Sequence, residues 1–230
     1  MEIEFDMKGV SMKDLTISQK YLLCVLNEKG KLPALDTGIE VCILAGGLYD
    51  LIFSESVRIG EDKRICFNGE LDSNLNHLES LHKFIKESKS MKIDKLASEY
   101  SFTLSDKRKK QLINDIGNSL VDLGLATHEK GGLFANTDYY IPKKEYIDRI
   151  IESIRAELLE EGNVSDDMIV LVSLLEKSKV IKRYFSAYEK DRLKIRINEI
   201  KETDAHKVVK EMVDYIDGLI AVFAAIGVIT

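Results

Sequence analysis

Apolar positions recur along most of the chain at intervals of three and four, the period of helices that bury one face. Thr16 and Gln19 have capping-box spacing, so a first helix is predicted to run through Tyr21–Leu26 and to stop near Gly30. Thr37 and Glu40 repeat the signature. The residues after them, Ile39, Val41, Cys42, Ile43, Leu44, Leu48, Leu51 and Ile52, are apolar nearly all round, which predicts a central, buried second helix. Val57–Ile59 and Arg64–Phe67 are short extended runs about Gly60-Glu61-Asp62-Lys63, a hairpin pattern. Helices are then expected over Leu75–Glu87 and Ile93–Tyr100.

The next stretch, from Lys107 to Pro142, is the most informative. Leu112, Ile116, Leu120 and Leu123 form one helical stripe, but the first turn reads Lys107-Arg108-Lys109-Lys110. Four cations oppose the partial positive charge of a helix N-terminus, with only Ser105 and Asp106 as capping compensation. They make better sense with an anion nearby. After Gly124 the pattern turns extended, Leu125–His128 and Leu133–Ile141, around Glu129-Lys130-Gly131-Gly132, a hairpin turn signal. Leu133 and Phe134 follow the Gly131-Gly132 tip and either fold back on the helix or project as a small apolar wedge.

Pro142 suits a helix start, and Tyr146, Ile150, Ile154 and Leu158 lie on one stripe of a helix over Lys143–Glu161, ended by Gly162. Ser165-Asp166-Asp167 opens an almost wholly apolar helix, Met168–Leu175, expected to pack beside the second one. Helices over Val180–Glu202 and Lys207–Ile226 complete a mainly α chain, read as a single domain over 1–230: central buried helices ringed by amphipathic ones, with one or two short β-hairpins.

With 45% hydrophobic and 31% charged residues, the chain has an ordinary soluble composition and enough length for a sizeable core. A net charge of −6 without long single-sign blocks argues against coating nucleic acid by bulk electrostatics. Cys24, Cys42 and Cys66 lie in apolar sequence without C-x-x-C spacing, and read as buried thiols in a reducing, cytoplasmic compartment. The N-terminus lacks a signal-peptide pattern, and Leu219–Ile229, the most apolar run, is too short to span a bilayer.

Nothing points to catalysis, a cofactor or a metal. His77 and His82 lie five apart, missing the spacing that puts two imidazoles on one metal, and are expected at the surface. His128 and His206 have no catalytic partner in sequence, and the nucleophile-elbow, P-loop and dinucleotide motifs are absent. Gly46-Gly47, inside the apolar second helix, is explained by close helix packing.

Read in order, Leu15-Thr16, Ala45-Gly46-Gly47-Leu48-Tyr49-Asp50-Leu51, Ser119–Thr127, the apolar run after Asp166-Asp167, and the closing Ala221-Val222-Phe223-Ala224-Ala225 resemble the Golgi phosphoprotein 3 family over nearly the whole chain. The resemblance implies a helical, non-enzymatic peripheral membrane protein that binds phosphatidylinositol 4-phosphate and holds glycosyltransferase tails in the Golgi. It also implies that Glu129–Phe134, including Gly131, Gly132, Leu133 and Phe134, is a membrane-inserting or self-associating hairpin. The family's headgroup pocket of one tryptophan and three arginines corresponds here to Leu35, Leu44, Lys110 and Ile113. Only Lys110 keeps the charge. A phosphomonoester needs several convergent donors, so these replacements argue against phosphatidylinositol 4-phosphate as the ligand and leave Lys107, Arg108, Lys109 and Lys110 to meet a generic anionic phospholipid surface.

Two other readings stand beside this one. Ile93–Tyr100, Lys107–Leu123 and a Gly-Gly-tipped hairpin follow the local order of a winged-helix DNA-binding module, although the helix is basic only in its first turn, and the net charge disfavours a nucleic-acid partner. Alternatively the hairpin joins copies into a homo-oligomer, in a protein-binding adaptor whose partner is unknown.

Overall fold

The computed structural model describes residues 11–33, 37–60, 62, 64–101, 106–132, 137–160 and 164–201, together with 214, 217, 218 and 221. The element order is α1 (Ile17–Val25), α2 (Thr37–Phe53), β1 (Val57–Ile59), β2 (Arg64–Phe67), a 3-10 turn (Ser73–Leu78) running into α3 (Glu79–Ser88), β3 (Ser90–Lys92) and α4 (Ile93–Ser101). Then come α5 (Lys107–Asp122), β4 (Ala126–Gly131), β5 (Thr137–Pro142), α6 (Lys144–Leu158), α7 (Asp166–Lys177), a 3-10 turn (Val180–Arg183) and α8 (Ala187–Lys201). The fold is mainly α, as the apolar periodicity predicts.

Helix α1 is the hub. Every residue from Ile17 to Val25 is buried, including Ser18, Gln19 and Lys20, and the helix packs against α2, α5, α6 and α7. Its capping box forms as its sequence dictates: the Thr16 hydroxyl accepts from the Gln19 N–H while the Gln19 side chain accepts from the Thr16 N–H. Two further N–H groups of the first turn are satisfied from outside the helix. The buried Asp50 carboxylate of α2 accepts from Ile17 N and Ser18 N, both at 2.9 Å. Burial pushes Asp50 up to about 6, against the opposing pull of hydrogen bonds from Ser18, Ile17 and Thr16.

As expected, the central stretches of α2 and α7 are buried, with Val41–Leu51 and Met168–Leu175 all in the core, whereas Phe53 at the end of α2 is exposed. A Cβ on Gly46 would touch the Ser18 backbone at 3.4 Å and one on Gly47 would press on Leu78 at 3.2 Å, which is the close packing the glycine pair implied. The 1–2 hairpin gains a third strand: β3, too short to read from sequence, pairs antiparallel with β2 to give the order β1-β2-β3.

Several boundaries depart from expectation. Thr37 is already the first helical residue of α2, one place inside a capping position. The Leu75–Glu87 segment starts as a 3-10 turn with non-helical geometry at Leu75. Ser165 makes no side-chain cap on α7; its N–H and hydroxyl both donate to Glu157 of α6 instead. Pro142 is the last residue of β5 rather than a helix start, and the Val180–Glu202 stretch breaks into a 3-10 turn and α8. His77 and His82 are buried, not at the surface: His77 Nε2 lies 3.2 Å from the Thr16 hydroxyl and 3.3 Å from that of Ser18, and His82 Nε2 lies 2.8 Å from Gly69 O. Desolvation pulls His77 down to about 4. Cys24 and Cys42 are buried thiols, whereas Cys66 is half-buried. Most of the Lys207–Ile226 stretch, Gly162 and most of the Ala221–Ala225 run lie outside the described residues.

Candidate functional site

Helix α5 is amphipathic, with Leu112, Ile116 and Leu120 in the core and its basic first turn at the surface. Its C-terminus closes in a Schellman motif: Gly124, at φ +72°, donates to Val121 O at 2.9 Å, and Leu125 donates to Leu120 O at 2.8 Å. That turn reverses the chain into β4, so the hairpin runs back along the helix that precedes it. Two bonds record the alignment. Tyr140 Oη donates to Asn118 Oδ1 at 3.1 Å, and one helical turn earlier Asn114 Nδ2 donates to Asp138 Oδ2 at 3.3 Å. The strands therefore lead from the last turns of α5 towards the end that carries the four cations.

The hairpin is braced at its base. Gly117 of α5 lies under the Tyr140 ring, where a Cβ would come within 2.5 Å of Cδ2. His128 stacks on Tyr140 with centroids 5.3 Å apart, and its Nε2 pairs with Asp138 Oδ1 at 2.8 Å. On the other side Tyr140 N donates to Gly30 O at 3.3 Å, and the Lys31 ammonium sits 4.7 Å from the Tyr139 ring centroid. The ladder runs farther than the Gly-Gly pair suggested. Glu129, Lys130 and Gly131 belong to β4, with Gly131 opposite Thr137, and Gly132 follows at φ +81°. Leu133 and Phe134 lie outside the described residues.

The four cations separate into two kinds. Arg108 Nη1 pairs with Glu99 of α4 at 2.7 Å, and its guanidinium lies 4.7 Å from the centroid of Phe84 in α3. Lys109 Nζ reaches Glu40 of α2 at 2.9 Å and Asp106 at 3.3 Å. Burial pulls Lys109 down, but the hydrogen bonds and charges of Glu40 and Asp106 outweigh it and hold the ammonium above the ordinary lysine range. These two residues tie α5 to its neighbours. Lys107 and Lys110 are exposed, and no ion pair among the described residues engages them.

Asp106 does not cap α5. It sits in the left-handed region at φ 47°, makes no side-chain cap bond, and turns its carboxylate to Lys109 instead. Ser105 lies outside the described residues. The positions aligned with a headgroup pocket hold no donors on α2 or beyond Lys110: Leu44 is 2% exposed in the core and Ile113 packs against that core, while Leu35 lies outside the described residues.

The elements of the winged-helix reading, α4, α5 and the β4–β5 hairpin, occur in its order. β3 pairs with β2, in a different sheet from β4–β5, and the α5 amides that could read bases are bonded within the chain. Asn114 and Asn118 bond the hairpin, and Gln111 donates to Asp115 at 2.6 Å.

The Golgi phosphoprotein 3 family model matches residues 17–216, from the first residue of α1 past the end of α8. The chain belongs to this family. Compared with curated proteins, it matches none. In this Golgi phosphoprotein 3 member, no helix among the described residues is long and apolar enough to cross a membrane. Sequence alone singled out the basic turn and the hairpin but missed Glu40 and Glu99 as their counter-charges. Glu40 lies 69 residues from Lys109, and its spacing to Thr37 gave it a local capping role. The only sequence signal was the unfavourable cation run itself, which calls for acids from elsewhere in the fold.

Proposed function

We propose that this Golgi phosphoprotein 3 family member is a non-enzymatic, cytoplasmic protein that attaches peripherally to anionic phospholipid surfaces. Its exposed cations Lys107 and Lys110 meet the charged surface, and the hairpin tip at Leu133 and Phe134 enters the interface. The observation that supports the reading is the run of the described strands back along α5, seen in the Asn118–Tyr140 and Asn114–Asp138 bonds, which leads β4 and β5 towards the basic turn. Each basic residue near an anionic surface contributes about 1 kcal/mol, and burying two apolar side chains adds about 1.5–3 kcal/mol each. Attachment is therefore weak, reversible and salt-sensitive. Leu44 and Ile113 provide no donors for a phosphomonoester, so the attraction is to surface charge rather than to phosphatidylinositol 4-phosphate.

The test is sedimentation with neutral, anionic and phosphatidylinositol 4-phosphate-doped liposomes. Binding to both charged kinds alike, weakened by salt and lost in Lys107→Glu/Lys110→Glu and in Leu133→Asp/Phe134→Asp, supports the reading. A folded protein that sediments with none of them overturns it. Mass measured over a concentration series then tests the hairpin as a contact between copies.

A further inference from the structure

Around the basic first turn of α5, three carboxylates from three places offset most of the positive charge: Glu99 from α4, Asp106 from the turn before α5, and Glu40 from the first turn of α2. The Lys109–Glu40 pair is the most enclosed of these contacts, with side chains 18% and 31% exposed. A lysine ammonium has three donors, and here one goes to Glu40 and another faces Asp106. Two carboxylates on one ammonium make this trio net negative, while the turn as a whole keeps an excess of cations.

We propose that Glu40 sets the anion selectivity of this corner: its carboxylate is a built-in counter-anion that occupies Lys109 and keeps a phosphomonoester from being accepted there. The inference rests on the reading of this end of the molecule as the anion-facing one. An approaching dianion would have to displace Glu40, or share Lys109 with Glu40 and Asp106 at a few ångströms, where like charges repel strongly in a half-buried site. A surface of single, spread charges does not need Lys109, because Lys107 and Lys110 remain exposed. Glu40 therefore separates two kinds of anion: it excludes compact, doubly charged phosphate and leaves attraction to diffuse surface charge intact.

The experiment compares the full chain with Glu40→Gln, which removes the charge but keeps an acceptor for Lys109, and with Glu99→Gln, which removes one charge on the other side of the same turn. In solution, inorganic phosphate is titrated while the backbone amides of Lys107–Lys110 are followed by NMR. Saturable shifts are expected in Glu40→Gln, about tenfold tighter than in the parent or in Glu99→Gln, the factor corresponding to one hydrogen bond to a charged group. On vesicles of phosphatidylcholine doped equally with phosphatidylserine or phosphatidic acid, the parent binds both alike. Glu99→Gln gains about fivefold on both, as one added charge does, and only Glu40→Gln prefers the phosphomonoester lipid. Equal phosphate gains in the two variants, or none in Glu40→Gln, overturn the selectivity role. A phosphate gain in Glu40→Gln from a parent that binds no vesicle leaves the selectivity contact standing and removes the membrane reading instead.

Discussion

Asp50 and His77 flank the start of α1, and their titrations oppose each other. Asp50 stands at about 6 in the fold against an ordinary 3.8, so the native state holds its proton more tightly than the unfolded chain does. The stability this contributes is complete below about pH 4 and is lost as pH rises through 6; two units correspond to about 3 kcal/mol. His77 is shifted the other way, to about 4 against 6.5, and its contribution is complete above 6.5 and lost as pH falls through 4. That is again about 3 kcal/mol. Across pH 4 to 6.5 the two terms nearly cancel in the parent. Asp50→Asn removes one of them and loses part of the paired acceptance from Ile17 N and Ser18 N, at a fixed cost of about 1–3 kcal/mol. Urea unfolding at intervals between pH 4 and 7 is the assay. Stability of the parent minus that of Asp50→Asn should fall by about 3 kcal/mol from pH 4 to 6.5. The variant by itself should become more stable over the same range, as His77 is unmasked. A difference that is flat with pH would refute the account of a buried carboxylate desolvated at this helix start.

Gly117→Ala places a Cβ inside the Tyr140 ring contact and should cost about 1–3 kcal/mol, with faster amide exchange in β4 and β5 than in α7. Gln19→Ala removes half of the capping box and the 3.0 Å bond from Gln19 Nε2 to Ser119 Oγ, and a loss of about 1 kcal/mol is expected in thermal unfolding. Tyr49→Phe deletes the 2.9 Å bond from Tyr49 Oη to Asp167 Oδ1, which joins α2 to the first turn of α7. It should lower stability by about 1 kcal/mol, and the loss should shrink when Asp167→Asn is made first.

Where local chemistry decides structure, the chain is legible in advance. Thr16 and Gln19 determine their own capping box, and the all-round apolar runs of α2 and α7 can only be interior. What escapes is whatever depends on partners remote in sequence. His77 and His82 look like surface histidines because neither the hydroxyls of Thr16 and Ser18 nor the carbonyl of Gly69 is visible from their own helix. The same holds for Ser165, whose acceptor on α6 outcompetes a local cap, and for β3, three residues long and specified by pairing with β2. At the candidate site the unusual charge of the first α5 turn was evident. Its division into tethers and exposed cations was not, since it depends on where Glu40 and Glu99 arrive in space.

The enclosure of α1 constrains the order in which a ribosome can deliver this fold. Its four neighbours include α6 and α7, so the walls of its cavity are completed only when residues as far as Lys177 have left the exit tunnel. Until then Tyr21, Leu22, Leu23 and Val25 have part of their apolar surface without cover, for a time on the order of ten seconds at typical elongation rates. The earliest of the described helices is among the last to be settled. Slow synthesis between α5 and α7 should therefore increase capture by chaperones at the N-terminal end more than anywhere else in the nascent protein.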